Sequence, residues 1–103
     1  MARKPNILFI MTDQQRADHV GFMGNGVVQT PHLDSLAASG CVFENAWVSN
    51  PVCMPNRATI LTGRMPTAHG VIFNDRSLDW HANTFVRQLR ADGYRTALLG
   101  KSH

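Results

Sequence analysis

Apolar positions fall along this chain in two patterns. Three short segments concentrate apolar positions: Asn6–Thr12 holds a continuous apolar run, while Cys41–Val48 and Tyr94–Leu99 are interrupted by Glu44-Asn45 and Arg95-Thr96. Runs of that length, bounded by polar residues, predict strands, and the first reads as a strand buried on both faces. Elsewhere the apolar positions recur at helical spacing. Thr30-Pro31 predicts a helix start, with Thr30 as N-cap, Pro31 at the first helical position and Asp34 in the first turn. Leu33, Leu36 and Ala37 form its stripe, and Gly40 stops it. A second helix is expected from Asn56 to Leu61, ended by Gly63. Asn83 or Thr84 caps a third, with Phe85, Val86 and Leu89 as its apolar face and Gly93 at its end. Residues 14–29, with Gly21, Gly24 and Gly26, read as a loop. Asn50–Pro55 reads as a proline-bracketed turn and 64–82 as a long loop. Strands alternating with helices predict an α/β fold with a mostly parallel sheet flanked by helices.

That layout bears on function, because open α/β sheets bind ligands beyond the carboxyl ends of their strands. Asp13 follows the first predicted strand, and Lys101 and His103 follow the third. Cys53 lies after a strand and before a helix. Three polar clusters, distant in sequence, are thereby expected at one edge of one sheet.

Composition narrows the classes. A chain of 103 residues supports one domain at most. The formal charge is +3, and the ten Lys and Arg are scattered, which excludes a basic nucleic-acid-binding tail and suits an anionic ester. Arg3 and Lys4 are followed at once by Pro5 and Asn6, so no secretory leader is expected. No run approaches the ~18 apolar residues of a membrane span. The expected setting is soluble and cytoplasmic, with neither nucleic acid nor membrane as a partner. Two cysteines, Cys41 and Cys53, are too few for a disulfide framework. Nothing in the sequence sets an oligomeric state.

Each cluster has a chemistry of its own. At a helix N-terminus, unpaired backbone N–H groups favour negative charge at Cys53, and Arg57 lies one turn further on. Both would favour a thiolate or an oxyanion there. Asp13 is a hard oxygen donor suited to a divalent cation, and Gln14 adds a carbonyl oxygen without charge. Taken by themselves, Lys101 and His103 read as two exposed polar residues. Arg16 and Asp18 are candidates for a pocket wall or for a surface ion pair. Trp47 and Trp80 are expected to pack in the core or a loop.

Cys53-Met54-Pro55-Asn56-Arg57, with Ala58-Thr59-Ile60-Leu61-Thr62-Gly63-Arg64 behind it, resembles the sulfatase signature C-x-P-x-R. The resemblance extends from Pro5-Asn6-Ile7-Leu8-Phe9-Ile10 to Gly100-Lys101-Ser102-His103, the family's G-K-x-H. His69-Gly70 matches its H-G after the signature helix, in a structural role. The resemblance implies an alkaline-phosphatase-like α/β domain, of which these residues are an incomplete N-terminal part. It implies conversion of Cys53 to formylglycine by a formylglycine-generating enzyme. The catalytic residues would be Cys53, Arg57, Lys101 and His103. Asp13, Gln14 and Cys53 would face a divalent metal, Ca²⁺ first, with Mg²⁺ or Mn²⁺ as alternatives. Asn56 stands where many relatives have serine, a change expected to be tolerated. Gln14 replaces the more common aspartate. Some relatives with D-Q act on phosphonate monoesters or phosphodiesters, so the implied substrate is a small-molecule sulfate ester or, in the alternative, a phosphonate or phosphodiester.

The family's enzymes run to several hundred residues, with further metal ligands, a histidine and a lysine downstream. The 103 residues alone are therefore expected neither to bind metal tightly nor to turn over substrate. A non-catalytic piece, serving as a modification substrate or a binding element, is the second reading. A thiol redox sensor using Cys53 is the third, and it leaves Asp13 and Lys101–His103 unexplained.

Overall fold

The computed structural model describes residues 3–102, which places His103 outside the described residues. The chain divides into two units, Met1–Glu44 and Asn45–His103.

In the first unit Thr30 precedes helix α1 (Pro31–Ser39), which starts with proline at its first position and ends before Gly40, as the sequence predicts. Thr30 does not cap the helix: it makes no side-chain cap hydrogen bond. Its hydroxyl accepts from the Gly21 N–H at 2.7 Å and donates to Asp34 Oδ1 at 2.9 Å. Asp34 Oδ1 also accepts from the Phe22 N–H at 2.9 Å. The expected loop is thus folded back onto α1, and its middle forms a 3₁₀ turn, Gly21–Met23, closed by Gly24 at φ 94°. Asn25 fixes the rest: its Nδ2 donates to the Asp18 carbonyl at 2.6 Å, and its Oδ1 accepts from the Val27 and Val28 amides. Val20, 6% exposed, is the buried apolar residue of this unit.

Gly21 lies close to Asp34: a Cβ there would lie 2.5 Å from Asp34 Oδ2. The Asp34 carboxylate would have to move, abandoning the Phe22 amide. We expect G21A to raise hydrogen-exchange rates at the residue 21 and 22 amides about fivefold, the loss of one hydrogen bond of ~1 kcal/mol. Unchanged exchange at both amides would contradict this account.

In the second unit α2 (Cys53–Thr62) begins three residues earlier than the spacing predicts, and includes residues expected in a turn. Pro55 sits in the first turn, where no intrahelical N–H is needed and the fixed φ already suits a helix. Gly63, at φ 67°, ends α2 and donates its N–H to the Thr59 carbonyl at 2.8 Å. The expected loop 64–82 contains a one-turn helix, α3 (Pro66–His69), started by proline and stopped by Gly70 at φ 80°. Four residues are too few for an apolar period to be visible. Helix α4 (Phe85–Ala91) is capped by Thr84, whose hydroxyl accepts from the Arg87 N–H. Its end is a Schellman closure: Gly93 at φ 87° donates to Arg90, and Tyr94 donates to Leu89. Helix α2 packs against α3 and α4. Pro55, Ala58, Pro66 and Val71 are the buried residues of this unit.

No strand forms among the described residues, so the expected sheet is absent from them. Asn6–Thr12, Cys41–Val48 and Tyr94–Leu99 carry no ladder pairing, and Leu8 (84%), Phe43 (78%) and Leu99 (93%) are exposed. The physical reason is that an apolar run states a demand for burial but does not supply a neighbour. A strand needs partners for its backbone N–H and C=O groups, and a parallel partner comes from a distant segment. Trp47 and Trp80, expected to pack, are 90% and 82% exposed, so Trp47 is not a core residue. Trp80 is held by helix α4: the Arg87 guanidinium donates to its carbonyl and lies over its ring. No helix of the described residues is long and apolar enough to cross a membrane.

Candidate active site

The second unit brings two of the sequence clusters together. Cys53 is the first residue of α2 and is half-buried. Arg57, one turn on, shares its helix face. Arg57 Nη1 donates to the Lys101 carbonyl at 3.3 Å, so the Gly100-Lys101 run lies against the signature helix despite a separation of 44 positions. Cys53, Arg57 and Lys101 are therefore held by one short helix and one returning segment. Cys41 and Cys53 are both free thiols.

The helix start differs from the expected cluster of unpaired amides. Val52, the N-cap residue, offers no side-chain cap, and its own N–H donates to Asn50 Oδ1 at 2.8 Å. The Met54 N–H donates to Asn74 Oδ1 at 3.1 Å, across 20 residues of sequence. Pro55 has no N–H, and the Asn56 N–H enters the helix by donating to the Val52 carbonyl at 3.0 Å. The first turn therefore keeps one amide for a ligand, that of Cys53 itself. Asn74 escaped sequence reasoning, since an asparagine in a loop has many bland uses. Asp75 follows it at φ 72°, a left-handed value uncommon for a residue other than glycine, and donates its N–H to Met54 Sδ at 3.2 Å.

His69 takes the structural role expected of it. Its Nδ1 accepts from the Val71 N–H at 3.1 Å, which leaves the proton on Nε2 to donate to Thr59 Oγ1 at 2.9 Å. Ser49 Oγ donates to the same Thr59 oxygen at 3.2 Å. One imidazole thus ties α2 to the segment after α3. A cleft of about 320 Å³ lies at the other end of α2, lined by Thr62, Arg64, His69, Asp79 and His81. Thr62 is nine helical steps from Cys53, about 13 Å along the axis. The cleft is separate from the Cys53 cluster.

In the first unit Asp13 and Gln14 are exposed, and Gln14 has φ 49°. Arg16 donates to Asp18 twice, at 2.9 and 2.7 Å, and His19 Nδ1 approaches the same carboxylate at 2.8 Å. The Arg16 hydrogen bonds, then that of His19, hold the Asp18 carboxyl well below the usual carboxylate range. The same hydrogen bonds, with the carboxylate charge, raise the Arg16 guanidinium. A depressed carboxyl favours the folded loop above its ordinary pKa and loses that contribution as pH falls. All these groups are solvated, so the effect is local. Arg16 and Asp18 are thus a surface ion pair.

Among the described residues, no group of three or more His, Cys, Asp or Glu is arranged to hold a metal ion. Asp13 and Gln14 supply hard oxygen donors, the right kind for Ca²⁺ or Mg²⁺. Two side chains fall short of the six to eight oxygens that Ca²⁺ takes. These residues by themselves do not make the site.

Comparison with known proteins agrees with the signature. The family model described as Sulfatase matches residues 5–103. An arylsulfatase of Clostridium perfringens is 42% identical over 97% of this chain and 21% of its own length. An ulvan-active sulfatase of Formosa agariphila is 44% identical over 97% of this chain and 20% of its own length. The human steryl-sulfatase is 34% identical over 99% of this chain and 19% of its own. The chain spans about a fifth of the length of these relatives. No solved structure matches.

Proposed function

This chain belongs to the sulfatase family, and from that premise we propose that it carries the nucleophile-bearing, N-terminal part of a catalytic domain that hydrolyses sulfate esters. The observation that supports this most is the Arg57–Lys101 contact. It gathers the C-x-P-x-R and G-K runs at the first turn of one helix. The family's architecture is alkaline-phosphatase-like α/β, and the three exposed apolar runs are its strand candidates here.

In the proposed reaction Cys53 is the position converted to formylglycine, whose aldehyde hydrate supplies a nucleophile and a second hydroxyl for releasing the product. The chain's own residues bind and orient. The Cys53 N–H, alone among the first-turn amides, keeps its partial positive charge available at the helix start. Arg57 faces the same position from one turn away, and its planar fork suits the oxygens of a sulfate ester. Lys101 contributes a second cation on the returning segment. His103 is assigned a proton-transfer role from its place in the G-K-x-H run. Asp13 and Gln14 are assigned as two oxygen donors toward a divalent cation, Ca²⁺ first.

The names of the relatives favour a sulfate ester over the phosphonate or phosphodiester that Gln14 suggests. The test is mass spectrometry of the Cys53 peptide from the native host, paired with assays on an aryl sulfate and an aryl phosphonate monoester. Formylglycine at residue 53 with faster sulfate turnover is expected. An unmodified thiol with no turnover of either ester would overturn the proposal.

A further inference from the structure

We propose that Asn74 is a positioning residue for Cys53, an inference that rests on the hydrolase reading above. Helix α2 begins on Val52, which has no side chain able to cap it. The missing cap is supplied from 20 residues downstream, where Asn74 Oδ1 accepts the amide of Met54, the residue bonded directly to Cys53. The adjoining Asp75 holds the opposite end of Met54 by donating its N–H to the thioether sulfur. Directly after these two contacts the chain turns at Asp75 through a left-handed φ of 72°. Such a conformation persists only where surrounding contacts over-determine it, and it clusters at functional sites.

The consequence is selective. Without Asn74 the helix start would present two amides, those of Cys53 and Met54, and an anion could settle between them. With Met54 occupied and Pro55 lacking an N–H, the Cys53 amide is the single donor remaining in the first turn. A charge developing at residue 53 meets one fixed dipole and the Arg57 face of the helix. Asn74 does this without touching substrate.

The test compares N74A and N74D with the native protein, with the modification state of Cys53 measured by mass spectrometry in every sample. N74A should lower kcat about 10- to 100-fold with KM within about threefold, the pattern of lost orientation. N74D keeps an acceptor oxygen at the same place and should recover most of the loss. Hydrogen exchange should quicken about tenfold at the Met54 amide in N74A and not in N74D, while the α4 amides stay unchanged. Unchanged kcat in N74A, or equal damage in N74A and N74D, would overturn the proposal, as would unchanged Met54 exchange. An inactive native protein with an unmodified thiol would instead sink the hydrolase reading. The exchange comparison would still decide whether Asn74 holds the turn.

Discussion

Replacing Cys53 with serine is expected to leave a protein that accepts one sulfate group and then stalls. The C53S hydroxyl sits at the same helix start, beside the same amide and one turn from Arg57. It can still attack, because these groups favour negative charge at the position whatever atom carries it. It has no second hydroxyl, so the sulfated product has no internal route to release. Turnover should fall at least a thousandfold, about 4 kcal/mol in the barrier to the limiting step. A quench-flow experiment with an aryl sulfate should give a burst of about one phenol per protein, and the variant should gain the mass of a sulfate group. Sustained turnover by C53S would remove the reason for an aldehyde and, with it, the proposed mechanism.

The second large effect is expected at Arg57. R57A removes a guanidinium from the Cys53 face of α2 and also cuts the hydrogen bond to the Lys101 carbonyl. Two functional elements are lost at once, since the returning Gly100-Lys101 segment is tied to the helix there. Loss of one preorganised donor costs about 10²–10³ in rate, and R57A should lie at the upper end or beyond. R57K should recover less than its charge suggests, because an ammonium cannot reproduce the planar fork. Under the proposed function, the signature that includes Arg57 is also what the modifying enzyme would read. The measurement is therefore kcat/KM divided by the formylglycine content of each preparation. A normalised value within threefold of the native one would place Arg57 outside the site.

Much of this arrangement is legible in the residues. The helices at 31–39 and 85–91 follow from apolar spacing with Pro31, Thr84 and the glycines Gly40 and Gly93 as stops. Those are local effects: a missing N–H, a hydroxyl that reaches an amide three residues on, a backbone free to turn left-handed. The early start of α2 was less legible, because a proline at position three of a helix looks the same in sequence as a proline in a turn. Thr30 misled for a related reason. Its hydroxyl had two possible amides, and the more distant one, of Gly21, won because Asp34 completes the network there.

By itself the sequence identified the family as that of the sulfatases and singled out Cys53, Arg57 and Lys101 as the candidates for its chemistry. Motif identity is written in residue type and spacing, which need no fold to be read. Only the tertiary structure decided which amides stay open at the helix start, that Asn74 closes one of them, and that Arg57 meets Lys101 across 44 positions. Those are long-range hydrogen bonds, and no local pattern encodes a partner that distant. The same holds for the strands. Their hydrophobicity is local and visible, whereas pairing depends on which other segment arrives beside them, and none does among the described residues.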